Sequence, residues 1–196
     1  MCIKGSSIRR GNKKYRINLT QQKHENHQED RIYSECSYPR IHRQRKETMN
    51  EREINLIVIH CSATRADRDV TAQDIDAFHR VRGFSSWGYH FYIRKSGTVE
   101  PMRPVSEVGA HARGFNAKSI GVCYEGGLDE NGQPQDTRTS AQKAALQKLV
   151  RDLLAQHPGC KVVGHRDLSP DLNGNGTVDK WERTKECPCF EVKEEF

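Results

Sequence analysis

The sequence predicts an α/β (α+β) domain, a central mixed β-sheet flanked by helices, behind a basic N-terminal arm. Three observations predict it. Ile54-Asn55-Leu56-Ile57-Val58-Ile59 is the most apolar run in a polar chain, as expected of a strand buried on both faces. Residues 71–83 and 139–157 carry apolar side chains at helical spacing between cap signals. Shorter apolar runs are interleaved with these helices, the order that lays helices over a sheet.

Residues 1–50 show neither helical nor strand periodicity, and Gln, His, Arg, Lys, Asn and Ser dominate them. A disordered arm is expected there. Thirteen Lys and Arg against seven Asp and Glu stand before Ile54, so nearly all of the net charge of +6 belongs to the arm. A nucleic-acid role for the arm is the weaker alternative to a solvated tail. Met49 stands just before the domain, and we expect it to be the initiator, with the first 48 residues upstream of it. The 196 residues, 34% hydrophobic and 30% charged, bound the rest to one domain, over residues 54–193. Mean hydropathy is −0.87, as expected when part of the chain adds nothing to a core.

Within the domain, Thr71 with Asp74 forms a capping box, Gly83 marks the stop, and Ile75, Phe78 and Val81 or Arg82 mark the inner face of the first helix. Gly88-Tyr89-His90-Phe91-Tyr92-Ile93-Arg94 alternates as a strand, and Lys95-Ser96-Gly97-Thr98 turns it into a second strand at Val99. Ser119-Ile120-Gly121-Val122-Cys123-Tyr124 is a further buried strand, ended by Gly126-Gly127 and followed by a polar loop. Thr139 and Gln142 cap the second helix, whose Ala145, Leu146, Leu149, Val150, Leu153 and Leu154 form the apolar face, and Pro158-Gly159 stops it. Lys161-Val162-Val163-Gly164 is the last strand.

Two strands thus end in histidines, His60 and His165. A thiolate is offered by Cys187-Pro188-Cys189. Two imidazoles and one thiolate would leave the fourth tetrahedral position of a zinc ion open, the pattern of a catalytic site. Lys185 and Tyr89 are the candidate cation and phenol for stabilising an oxyanion. From the residues alone the alternatives stay open: a strand-end histidine can be a satisfied structural residue, and Cys-Pro-Cys a buried pair or a disulfide-prone loop. The seven cysteines (Cys2, Cys36, Cys61, Cys123, Cys160, Cys187 and Cys189) are odd in number and the N-terminus lacks an apolar secretory core. Free thiols and one metal thiolate are therefore expected rather than a disulfide framework.

Six segments in order carry a resemblance: Ile59-His60-Cys61-Ser62-Ala63-Thr64, Gly88-Tyr89-His90-Phe91, Gly109-Ala110-His111-Ala112-Arg113-Gly114-Phe115-Asn116, Ser119-Ile120-Gly121-Val122, Gly164-His165-Arg166-Asp167 and Lys185-Glu186-Cys187-Pro188-Cys189-Phe190. Over residues 54–193 the chain resembles the type 2 zinc N-acetylmuramoyl-L-alanine amidases. It is most similar to their phage-lysozyme branch, whose fold is shared with peptidoglycan recognition proteins. The resemblance implies cleavage of the amide between N-acetylmuramic acid and L-alanine of the stem peptide. It implies one catalytic zinc on His60, His165 and Cys187, with Tyr89 and Lys185 as the catalytic pair. It also implies that His111 lies along the cleft, where we expect it to contact substrate. Cys187 is preferred to Cys189 by the pattern Lys-x-Cys-Pro-x-Phe. Cys61 and His90 are expected on the faces opposite His60 and Tyr89, and His79 as packing or as a support to a site residue. The set Cys187, Tyr89 and Lys185 separates an active amidase from the alternative, a non-catalytic peptidoglycan-binding module.

One segment departs from the family's short loop. Residues 171–182 satisfy the calcium-loop pattern D-x-[DN]-x-[DN]-G-x5-E. Asp171, Asn173, Asn175, Asp179 and Glu182 would supply oxygens, Thr177 its carbonyl and Gly176 the turn. The expected partner is bacterial peptidoglycan, with no membrane, and the chain is expected to act as a monomer. Without a signal it would stay cytoplasmic until lysis and reach the wall after release, like an endolysin.

Overall fold

The computed structural model describes residues 52–196, so the arm and Met49 lie outside the described residues. The chain runs through β1 (Leu56–Cys61), β2 (Thr64–Arg65), α1 (Ala72–Val81), β3 (Phe91–Ile93), β4 (Val99–Pro101), β5 (Ser119–Tyr124), β6 (Gly127–Leu128), α2 (Ser140–Gln156) and β7 (Lys161–Gly164). Five strands form one mixed sheet in the order β4-β3-β5-β1-β7; a second, two-stranded sheet pairs β2 with β6. β1 is parallel to both neighbours, β5 and β7, and only β4 runs antiparallel.

The apolar run became β1 because a central parallel strand has no polar face to offer. Ile57, Ile59 and Cys61 join Ile120, Val122 and Tyr124 in one core with Leu146, Leu149, Val150 and Leu153 of α2. Each such aliphatic side chain contributes about 1.5–3 kcal/mol on burial. The other face carries a smaller core, in which Ala72 and Ile75 of α1 meet Tyr92, Met102 and Cys123. The sheet is therefore covered on both sides.

Both helices start at the predicted capping boxes, Thr71 with Asp74 and Thr139 with Gln142. Gln142 also donates from Nε2 to the carbonyls of Ile93 and Glu125, fastening α2 to the sheet. The inner face of α1 differs from expectation. Phe78 is 53% and Val81 90% exposed, and the buried residues are Ala72, Ile75 and His79. The i, i+3, i+7 stripe from Ala72 faces the sheet, and His79 holds the inner place because its Nδ1 accepts the N–H of Gly88. The strand expected over 88–94 is shorter, Phe91–Ile93, with bends at Gly88 and His90 before it. The two-residue strands β2 and β6 are too short to show periodicity and read as loop in the sequence. Among the described residues no helix is long and apolar enough to cross a membrane.

Candidate metal centre

The parallel register builds the site. Ile59 is paired with Gly164 across β1 and β7, so His60 near the end of β1 and His165 just past the end of β7 come side by side at the same end of the two strands. Their ring centroids lie 4.5 Å apart. The loop after β7 returns Cys187 to this edge through three bonds. The N–H of Arg166 donates to the carbonyl of Cys187 at 2.8 Å, the hydroxyl of Tyr124 donates to Pro188 at 2.7 Å, and the N–H of Cys61 donates to the sulfur of Cys187 at 3.2 Å. Ligand atoms of His60, His165 and Cys187 all fall within 4.8 Å of one another, and no other such group occurs among the described residues.

This donor set fits zinc. The Cys187 sulfur and His60 Nδ1 are 3.9 Å apart. In a tetrahedral zinc site sulfur and nitrogen ligands stand roughly 3.5 Å apart, given Zn–S near 2.3 Å and Zn–N near 2.0–2.1 Å. Burial, the neighbouring His111 and His165, and then Lys185 hold the imidazole of His60 well below the ordinary histidine range. Burial and then Lys185 bring His165 down to about 4. Both are therefore neutral imidazoles near pH 7, the form that ligates a metal.

Around this group lies a cleft of about 520 Å³, lined by Tyr89, His111, His165, Lys185 and Cys187, with Arg82 and Arg113 at its rim. The Tyr89 ring packs 5.1 Å from that of His60. Burial pushes its phenol well above the ordinary tyrosine value, so it remains a proton donor at neutral pH. Lys185 is exposed at the mouth. His111 does more than line the cleft. Its Nδ1 is 3.1 Å from His60 Nε2, and its Nε2 is 3.3 Å from the hydroxyl of Ser119. That contact was not legible from the motif, which announces only a histidine in a glycine-rich loop.

The neighbouring cysteines and histidines have partners of their own. Cys61 joins the core that packs against α2, where its sulfur meets that of Cys189 at 3.8 Å. The hydrogen bond with Cys187, together with burial, raises the Cys61 thiol to about 12. His90 is buried, with Nδ1 accepting from the N–H of Gly121 and Nε2 facing the carbonyl of Glu107. His79 stacks on Phe84 and packs beside Tyr89. The 171–182 loop is closed on itself. Asp171 accepts from Gly174 and Gly176, Asn173 and Asn175 both donate to Asp179, and Glu182 accepts from the N–H groups of Leu172, Asn173 and Asp179.

Residues 50–189 match the family model described as N-acetylmuramoyl-L-alanine amidase. The chain belongs to that amidase family. The endolysin of Klebsiella phage KP32 is 39% identical over 141 residues, which cover 72% of this chain and 84% of the phage protein. The amidase LysC from Clostridium intestinale URNW shares the structure at a TM-score of 0.58 and 34% identity, over 75% of this chain and 85% of LysC. Drosophila PGRP-LB, at 23% identity and a TM-score of 0.51 over 69% of this chain and 75% of its own, shares the fold. The activity of the amidase is hydrolysis of the amide that joins N-acetylmuramic acid to L-alanine in peptidoglycan, and the mixed sheet between helices is the fold of this family.

Proposed function

We propose that the amidase is a zinc hydrolase whose metal is held by His60, His165 and Cys187, with Tyr89 and Lys185 acting on the scissile amide. The observation that supports it most is the convergence of two neutral imidazoles and one thiol from distant parts of the chain at the floor of one cleft. A zinc ion bound there supplies a water activated for attack on a carbonyl. The protein supplies the rest. Tyr89, kept protonated by burial, and Lys185 both line the cleft. Both can donate to the carbonyl oxygen as it gains charge, and donors preset for a developing oxyanion are commonly worth about 3–4 kcal/mol of barrier each. His60 itself is buried.

We place the working unit at residues 54–193, acting as a monomer on the wall after release from the cell, as an endolysin does. Purified sacculi test the assignment. Wild type should release stem peptides beginning with free L-alanine and should contain one zinc per chain. Cys187→Ala should do neither. Wild-type protein that binds sacculi, carries no zinc and releases nothing would establish the binding module instead.

We extend the proposal to calcium at residues 171–182. What supports it is the spacing of oxygen donors at Asp171, Asn173, Asn175, Asp179 and Glu182 in an otherwise exposed loop. Glu182 gives both its oxygens to backbone N–H groups, so calcium must compete with those bonds, and weak, roughly millimolar affinity is expected. Calorimetric titration decides it: no heat at millimolar calcium removes the site.

A further inference from the structure

We propose that His111 is the positioning residue of the first metal ligand: it accepts the Nε2 proton of His60 and so turns the Nδ1 lone pair of His60 toward Cys187 and the metal. The proposal rests on the zinc reading above and assigns His111 a task other than substrate contact.

The geometry runs in one line. His60 Nδ1 faces the Cys187 sulfur at 3.9 Å, and its Nε2 faces His111 Nδ1 at 3.1 Å. A metal shared with Cys187 can therefore be reached only through Nδ1. A neutral imidazole with its lone pair on Nδ1 carries its proton on Nε2. That proton then points at His111 Nδ1, which must be the acceptor. His111 is left with its own proton on Nε2, aimed at the fully buried hydroxyl of Ser119 at 3.3 Å. One assignment of protons satisfies every contact, and in it Ser119 accepts from His111 and His111 accepts from His60. Metal-bound histidines generally need such a partner on the second nitrogen to fix tautomer and ring orientation.

The backbone is cut to hold this ring. A Cβ at Gly109 or at Gly121 would come within 2.6 Å of His111 Cδ2. Neither glycine is needed for a left-handed turn; both are needed for space. Asn116 Oδ1 accepts the N–H of His111 at 2.9 Å and of Ala112 at 2.8 Å, which pins the loop under the ring. The His111 ring stands edge-on to His60 at an interplanar angle of 84°. A side chain sought only for a flexible ligand would not require two glycines and a capped loop to fix it.

The test is zinc affinity of the full chain, read by competition with a chromophoric chelator. Wild type is compared with His111→Asn and His111→Gln. Both amides fill the slot, but only Asn can put an acceptor where Nδ1 stands. Loss of a partner of this kind costs about 10–100-fold in metal affinity. We expect that loss for Gln and near-wild-type affinity for Asn. Equal zinc affinity in all three proteins would overturn the proposal. So would equal loss in Asn and Gln, which would make the effect one of packing. A fall in sacculus binding at constant zinc affinity would return His111 to substrate contact. Failure of the zinc reading shows separately, as absence of zinc from wild type.

Discussion

Arg166 donates to the carboxylate of Glu191 at 2.8 Å, across the turn that carries Cys187. Arg183 reaches the same oxygen at 3.0 Å. One acidic side chain therefore ties the residue after His165 to the residue two before Lys185. Arg166 and Arg183 are nearly buried, while Glu191 is about one-third exposed, so solvent screens part of the attraction. Glu191→Ala is expected to cost about 1–3 kcal/mol in urea unfolding. It should also raise the rate at which Cys187 is alkylated in metal-free protein. An unchanged alkylation rate would mean that the clamp does not hold the loop.

Metal removal is expected to lower stability as well as activity. A ligand that binds only the folded state stabilises it by about 2.7 kcal/mol at one hundred times its dissociation constant. At roughly 2–4 °C per kcal/mol for a domain of this size, chelation should lower Tm by about 5–10 °C. Readdition of zinc should restore it. Cys187→Ala should be insensitive to both treatments; a chelator effect of the same size in that variant would place the metal elsewhere.

Glu125 is fully buried and accepts from the N–H groups of Val70 and Lys95 and from Nε of Arg94. Removing it leaves two backbone donors and the Nε of Arg94 without their acceptor, while the rest of that guanidinium keeps Asp69 and Glu100. Glu125→Ala should cost about 3–5 kcal/mol. Glu125→Gln, which keeps the size and part of the acceptor capacity, should cost less. Thermal melts of the two variants side by side would show it, and equal losses would count against the hydrogen-bond account.

His90 makes stability depend on pH. Burial lowers its folded value to about 4, against about 6.5 in the unfolded chain. The fold therefore holds the neutral ring, whose Nδ1 accepts from Gly121 at 2.9 Å. This contribution is complete above pH 6.5 and is lost as pH falls toward 4. At pH 5 the loss amounts to about 2 kcal/mol. His90→Asn keeps an acceptor without the titration. Its stability should fall by about 2 kcal/mol less than that of wild type between pH 7 and pH 5. Parallel urea midpoints for the two proteins at both pH values would refute the assignment.

Much of the framework was legible because its signals are local. Thr71 with Asp74 and Thr139 with Gln142 bound both helices, and Ser119 to Tyr124 formed one strand as read. Among the site residues, the expected three donors do meet. What escaped depends on distant partners. Val81 has the hydropathy of an inner-face residue but faces solvent, because His79 finds a backbone donor in Gly88 that no helical period reveals. The contact of His111 with His60 spans 51 residues, and that of Arg166 with Glu191 joins two segments without regular pattern. Such pairings exist only once the sheet has set the register.

That register has one further consequence. β7 is four residues long and, among the described residues, lies at the margin of the sheet with a strand partner on one side only. A strand so placed is ordinarily the first to fray. The pairing of Ile59 with Gly164 puts His165 just past the end of this marginal strand. A cation shared by His60 and His165 would act there as a rivet, so peeling of β7 and release of the ion would be a single event. Metal release measured over time would then serve as a gauge of how often the sheet opens at its edge.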